Sequence, residues 1–598
     1  MAELVPTLQE CVDRSGWINA GEERVARALG RIDDRWTVYV QPRLGLDRPD
    51  FVALHRDHGI CAIEVKEWRH GAYRNQNGEI QYRTGDGWAP VREHPCSQGE
   101  RYRSTIYEHH FARPADGGPV PPSVRAIVIL LNHPTHRARE VLRCAQGAPG
   151  AGVAIHGDDV LDHLEDALIG PAPARPCPVS LDKAQRHLET ATYVNRLVAP
   201  DRLSRGASNI ARNPNGARMR RVRGSAGCGK SYGLAARAAA LAAEGKSTLV
   251  VSYNITLSHY LRSLISRHCA SYGADPALVS CVHFHGFCRR LDEMADPTGG
   301  GRGGDSTVNV VDRAIAASET GARIPFDAIL VDEGQDFELS WWNLLRAQLR
   351  PDGEMLLVAD PTQNIFDQTP WTEEEHMVGA GFSGPWTDLG ASHRLPSDVV
   401  SVVRVFGERY VPGDIVGPTA PDAGERISSF DVPTARRWQN VPSTSSLPLV
   451  AAQMTSALVE NQDDLDPSEV VVLCESHDQG LRVVRQLERR GHEVNHIFAS
   501  NPSEQQRRKQ RFWVDAPGIK ACTVHSFKGW ESRAVIVCIG GARWSPRLGY
   551  VALTRLKSDV RGSYVGIVNA HPELNEFRSL FKDGIPLPPP AVAPDQVA

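Results

Sequence analysis

The chain has 598 residues, 41% of them hydrophobic and 23% charged, with a net charge of −4. That length suits three or four domains with sizeable cores, and the near-neutral balance excludes a global basic field, so any nucleic acid must be held by local basic surface. Twelve cysteines without a C-x-x-C pair argue against structural zinc, an iron–sulfur cluster or a disulfide framework. With no signal-like start and no apolar run near about 18 residues, they point to a cytoplasmic chain outside the membrane.

Residues 1–172 read as a small α/β domain. A helix is expected near 18–30, strands near 36–42, 50–54 and 60–66, a helix near 97–111, a strand over 125–132, and a closing strand and helix within 153–168. The informative stretch runs from Pro49-Asp50 to Glu64-Val65-Lys66. A hairpin around the His-Arg-Asp-His-Gly turn pairs position 54 with 60 and sets Asp50 opposite Glu64. Directly opposed residues have Cβ atoms about 4.5–5.5 Å apart, and period-two alternation puts Lys66 on the face of Glu64. Two carboxylates and a lysine so placed can bind Mg²⁺ (or Mn²⁺), position a water and stabilise a pentavalent phosphate. The competing reading is a solvated edge hairpin with ordinary charges.

Pro171–Pro178 reads as a stiff proline-rich linker, and 173–222 as a connecting segment whose basic part, 197–222, lies on the surface. Gly224-Ser225-Ala226-Gly227-Cys228-Gly229-Lys230-Ser231 satisfies the phosphate-loop pattern. The glycines turn backbone N–H groups toward a triphosphate at a helix N-terminus, Lys230 neutralises the β/γ-phosphates, and Ser231 offers its hydroxyl to Mg²⁺. An Ala-rich helix over 231–243 and a buried strand Thr248–Tyr253 follow. An apolar strand from Asp327 ends in Asp332, a Mg²⁺ ligand, and Glu333, which orients and deprotonates the attacking water. Another, Glu354–Ala359, delivers Asp360 and Gln363 toward the γ-phosphate. Arg394 and Arg555, far along the chain, can supply positive charge to the γ-phosphate from across a cleft. The gap from Phe287 to Asp327 is too short for an inserted domain, and the later gap has room for a small insertion around 405–445. Translocation is thus a safer expectation than robust duplex unwinding. Gly299–Thr307 reads as a glycine-rich loop, and 583–598 as a proline-rich disordered tail.

Asp332-Glu333-Gly334-Gln335-Asp336, His525-Ser526-Phe527-Lys528-Gly529 and Val551-Ala552-Leu553-Thr554-Arg555, in this order after the phosphate loop, resemble superfamily 1 helicases of the UvrD/Rep branch over residues 179–575. The resemblance implies two RecA-like parallel-sheet ATPase lobes, 223–386 and 387–582. It implies that Gln185, in Leu181-Asp182-Lys183-Ala184-Gln185, reads adenine and that Glu531 contacts ribose or couples the lobes. Gly224, Gly227 and Gly229 would cradle ATP. Phe284, His285, Phe366 and His525 would line a single-strand path, with Tyr253 and Asn254 touching the backbone; for Phe284 and Phe366 the alternative is core packing. The N-terminal segment carries the P-D…(D/E)-x-K signature. With Gly21-Glu22-x-x-Val25 and His94-Pro95-x-x-Gln98 it resembles the nuclease-related domain NERD, which implies that Glu22 and Gln98 join the Asp50–Glu64–Lys66 site. The expected whole is an ATP-dependent translocase or helicase fused to a metal-dependent nuclease. It would act on DNA that is single-stranded or has a single-stranded end, with RNA open, in defence against foreign DNA or in repair. The alternative is an NTP-switched binding protein whose inactive nuclease fold serves for docking.

Overall fold

The computed structural model describes residues 2–586 apart from 14–17, 43, 45–46, 70, 77–78, 85–86, 92–93, 111–123, 144–151, 171–180, 182–183, 186–187, 189–202, 296–306, 364, 366–370, 412–416, 422–431, 515, 542–543 and 582–584. The proline-rich linker, most of the glycine-rich loop and Phe366 lie outside the described residues. The chain divides into two compact units, Met1–Ala199 and Pro200–Ala598. No helix among the described residues is long and apolar enough to cross a membrane.

The described strands of the first unit are β1 (Glu3–Val5), β2 (Trp36–Val40), β3 (Phe51–His55), β4 (Gly59–Glu67), β5 (Tyr73–Gln76), β6 (Glu79–Thr84), β7 (Gly87–Pro90), β8 (Val124–Leu131) and β9 (Ala154–Gly157). Six form one sheet in the order β1-β2-β3-β4-β8-β9, and β5-β6-β7 form a separate antiparallel ribbon. The hairpin register is the expected one, Leu54 opposite Ile60 and Phe51 opposite Ile63. Alternation along it separates two cores. Phe51, Ala53, Cys61, Ile63 and Val65 pack with Val25 and Leu29 of helix Ala20–Leu29. Val52, Leu54, Ile60 and Ala62 pack with Tyr102 and Ile106 of helix Pro95–His110. Gly21 is required by close approach, because a Cβ there would lie 2.9 Å from Leu131 Cδ1.

The second unit holds two parallel sheets. β10 (Met219–Gly224), β11 (Thr248–Ser252), β12 (Val279–His283), β13 (Phe326–Val331), β14 (Leu349–Ala359) and β15 (Thr387–Leu389) take the order β12-β11-β13-β14-β10-β15. β16 (Ala435–Asn440), β17 (Val470–Cys474), β18 (Val494–His496), β19 (Ile519–Thr523), β20 (Ala534–Ile539), β21 (Tyr564–Asn569) and β22 (Ile585–Pro586) take the order β18-β19-β17-β20-β21-β16-β22. Their near-continuous apolar sequences, such as Val-Val-Val-Leu-Cys in β17, are what strands covered on both faces require.

Several expectations are corrected here. Within 197–222, a helix Arg205–Arg212 buries Ala207, Ile210 and Ala211, spaced three and four residues apart, and β10 enters the sheet beside β14. The first sheet extends past 386, since β15 pairs with β10. Ile585 and Pro586, in the expected tail, pair with β16. Leu181, Ala184 and Leu188 belong to the core of the first unit, so the segment carrying Gln185 is anchored there.

Candidate functional site

In the first unit the sheet gathers carboxylates at one end of the hairpin. Asp50 precedes β3 and its Oδ2 accepts a hydrogen bond from the Val65 amide at 2.6 Å. Glu64, on β4, is 3% exposed and its Oε1 accepts from the Lys66 ammonium. Glu22 is also buried; it forms a capping box with Asn19 and accepts from Gln41 Nε2 at 2.9 Å. Gln98 donates to the Tyr102 hydroxyl at 2.7 Å, and Tyr102 lies beside Glu64 and Asp50. The five residues expected here therefore come together. The sequence reading missed Tyr102, Gln41 and Arg48, although Tyr102 sits one helical turn after Gln98, on the same helix face. Arg48 donates to Gln41 Oε1, and its buried Nε has no partner among the described residues.

Burial, then the charge of Glu22, pushes the Asp50 carboxyl up to about 7. Burial, then Asp50, pushes Glu64 up to about 8. Glu64 Oε2 is buried without a hydrogen-bond partner among the described residues. Like charges held together in a dry place, with an orphaned carboxylate oxygen, fit a hard divalent cation. Among the described residues no three His, Cys, Asp or Glu side chains cluster as a metal cage. Asp50 and Glu64 would therefore supply two ligands, leaving water and substrate oxygens to complete the shell.

A raised carboxylate favours the fold in its protonated form. The contribution is complete below the unfolded values, about 3.9 and 4.3, and is lost as pH rises through 7 to 8. Asp50→Asn holds one group neutral. In metal-free buffer the variant's melting advantage over wild type is expected to be small near about pH 5 and larger near about pH 8.5. A melting difference that does not widen with pH would contradict this assignment.

In the second unit β10 runs into the phosphate loop and helix Lys230–Ala243. Gly229 begins the helix at φ 94° and Gly227 has φ 82°, left-handed values that suit glycine. The Lys230 ammonium donates to Gly224 O at 2.7 Å and Ser225 O at 2.9 Å, and pairs with Asp360 Oδ2 at 3.2 Å. Ser231 Oγ donates to Asp332 Oδ2 at 2.8 Å, so both proposed Mg²⁺ ligands are adjacent. Burial, then Glu333, pushes Asp332 up to about 7. Burial would raise Asp360 too, but Lys230 together with the hydrogen bonds from Thr362 and Gln363 more than offsets it and holds the carboxyl below its ordinary value.

β14 lies between β10 and β13 and so carries Asp360 and Gln363 between the phosphate loop and the Asp332-Glu333 pair. Gln335 ties the two strand ends, donating to Glu333 Oε2 at 2.5 Å while its Oε1 accepts from the Asp360 amide at 2.8 Å. From the second sheet, Arg555 is fully buried and donates to Gln363 Oε1 at 2.6 Å. Burial, then Arg394, lowers Arg555 to about 9. Arg394 donates to Thr554 O at 2.9 Å. Lys528 donates to both Asp336 oxygens at 2.6 and 2.7 Å and lies 3.7 Å from Glu333 Oε2. Removing one partner of such a buried pair costs about 3–5 kcal/mol. One pocket is lined by Gly227, Gly229, Lys230, Ser231, Glu333, Gln363, Arg394, Glu531 and Arg555, and Glu531 accepts there from the Tyr232 hydroxyl at 2.7 Å. Gln335, Lys528 and Tyr232 were missed as site residues, although the first two stand inside quoted motifs.

The residues of the expected strand path lie in different surroundings. Phe284 is fully buried, stacked on Trp341 at 4.6 Å and edge-on to Phe337, so it is core and offers no face to a base. Tyr253 and His285 are half-buried around Trp341. Asn254 caps helix Ile255–Tyr272 through Thr256 and donates to His525 O at 2.8 Å, which commits its side chain to joining the two sheets' loops.

Residues 18–130 match the family model described as nuclease-related domain, NERD, and the chain carries that domain. No curated protein sequence matches it. Among solved structures, S. cerevisiae Dbp5 bound to RNA and ADP BeF3 is 11% identical, with a TM-score of 0.39 over 67% of this chain and 91% of that one. A Dbp5 variant from the same yeast, bound to Nup159, a Gle1 variant, IP6 and ADP, is 11% identical with a TM-score of 0.37, covering 67% and 92%.

Proposed function

We propose that the second unit is an ATP-driven nucleic-acid translocase of superfamily 1, built on two RecA-like lobes, and that the NERD domain is a metal-dependent nuclease acting on the same polymer. The observation that carries the motor reading is the shared pocket. Arg555, from the second sheet's loops, and Arg394, from the connection that follows β15, enter the space lined by Lys230, Ser231, Glu333 and Gln363. ATP would sit with its phosphates on the loop amides and Lys230. Ser231 and Asp332 would hold Mg²⁺, which would supply positive charge to the phosphates. Glu333, held by Gln335, orients and deprotonates the water. The two arginines stabilise charge on the transferred phosphoryl group and make closure depend on it. Steps along the strand would follow from that closure, with Tyr253, His285 and Trp341 as stacking surface.

In the first unit Asp50 and Glu64 would hold Mg²⁺ or Mn²⁺, a Lewis acid for the scissile phosphate. Lys66 would stand beside that phosphate, and Glu22 and Gln98 would orient the carboxylates. Cleavage of single-stranded and duplex DNA and of RNA, with either metal and with chelator, tests this. It should vanish in chelator and in Asp50→Ala or Lys66→Ala. Both variants should remain folded, because Asp50→Ala relieves like-charge repulsion and Lys66 is partly exposed. Wild-type cleavage in both variants would reject the site. No cleavage of any substrate by the intact chain would instead favour an inactive domain used for docking.

A further inference from the structure

Two of the few exposed large apolar side chains among the described residues, Tyr82 at 42% and Trp88 at 37%, lie on the small ribbon β5–β7. Its register sets Arg83 opposite Trp88, Arg74 opposite Gln81, and Asn75 opposite Ile80. Ile80 is buried in the core, and Tyr73 packs against it. The alternating set Arg74, Gln81, Arg83 and Trp88 therefore forms the outer face. There the Arg74 guanidinium lies 4.4 Å from the Trp88 ring centroid and donates to Gln81 Oε1 at 2.8 and 3.0 Å. Among the described residues the face carries two guanidinium groups and one carboxylate, Glu79, which accepts from Gln81 Nε2 at 2.8 Å. The ribbon grows straight out of the strand that bears Glu64 and Lys66. Trp68, two residues beyond Lys66, stacks on Tyr73 with ring centroids 4.0 Å apart and planes 7° apart, which fixes the ribbon's base at the end of β4.

An exposed tryptophan beside exposed arginines is a poor apolar interface. It matches the needs of a single nucleic-acid strand, which presents a base face for stacking and phosphates for guanidinium groups. We infer that the outer face of this ribbon, Arg74, Arg83 and Trp88, holds the single-stranded segment that flanks the phosphate to be cut. The inference rests on the nuclease reading and assigns it a substrate-holding surface outside the carboxylate site. Trp88 stacks one base and the arginines take neighbouring phosphates, so the ribbon adds affinity to the ground state and the transition state alike.

The test uses the full chain without ATP and a single-stranded oligonucleotide carrying 5-iodouracil. Irradiation should cross-link the peptide that contains Trp88, and Trp88→Ala should abolish that adduct. In parallel, Trp88→Ala and Arg83→Glu should each raise the KM for cleavage about tenfold, in line with the loss of one stacked base or one phosphate contact, with kcat within about twofold. Adducts only in the second unit, or an unchanged KM in both variants, would overturn the inference. An adduct at Trp88 in a chain that never cleaves would keep the surface and remove the nuclease reading.

Discussion

Lys230→Ala is expected to abolish nucleotide-dependent activity, and Glu333→Gln to bind ATP without turning it over. The ammonium of Lys230 is buried and directed by two loop carbonyls and Asp360. Alanine leaves Asp360 buried without its ammonium partner and removes the charge that meets the phosphates, so binding and hydrolysis should fail together. Glu333→Gln keeps the shape and leaves Ser231 and Asp332 in contact, so the nucleotide should still be held while the water loses its base. Equilibrium binding beside steady-state hydrolysis separates the two. Full turnover in either purified variant would reject the assigned roles.

The second large effect belongs to Arg555. Its guanidinium is fully buried, reaches Gln363 across the cleft and faces Arg394. Holding two cations together in a dry site costs free energy, and anionic oxygens that develop in the transition state repay it. Arg555→Ala is therefore expected to lower kcat on the order of 10³-fold while nucleotide Kd changes much less. Equal losses in Kd and kcat would assign Arg555 a static role. The same measurement on Arg394→Ala should give the same split.

Much of this was legible because the motifs encode backbone geometry. The phosphate loop predicts its own helix, the apolar runs before Asp332 and Asp360 predict buried parallel strands, and an odd-numbered turn centred on Asp57 predicts the register that opposes Asp50 and Glu64, although the turn is three residues long rather than five. What could not be read depended on tertiary partners. Phe284 stands in a motif string, yet whether it faces a base or Trp341 is decided by packing from a helix more than fifty residues away. Gln185 lies in a string resembling an adenine-reading segment, but the apolar residues around it found the first unit's core. The helix Arg205–Arg212 stayed hidden because its charges mask a short apolar stripe, Ala207, Ile210 and Ala211. Lys528 gave no sign of its partner, since Asp336 is 192 positions away.

The contact between Gly227 and the Arg394 segment has a genetic consequence. The His393 amide donates to Gly227 O at 2.9 Å, and a Cβ on Gly227 would fall 2.3 Å from Ser392 Oγ. Two main chains meet there, so trimming side chains on either segment leaves the link intact, whereas adding one atom at Gly227 forces the segments apart. Gly227 and Ser392 are thus an epistatic pair. Ser392→Gly would relieve the crowding of a Gly227→Ala chain but not its left-handed backbone, worth about 1–2 kcal/mol, so suppression between them can only be partial. In a population of related sequences the loop's second glycine would outlast exchanges in its neighbours, held by a segment more than 160 residues downstream.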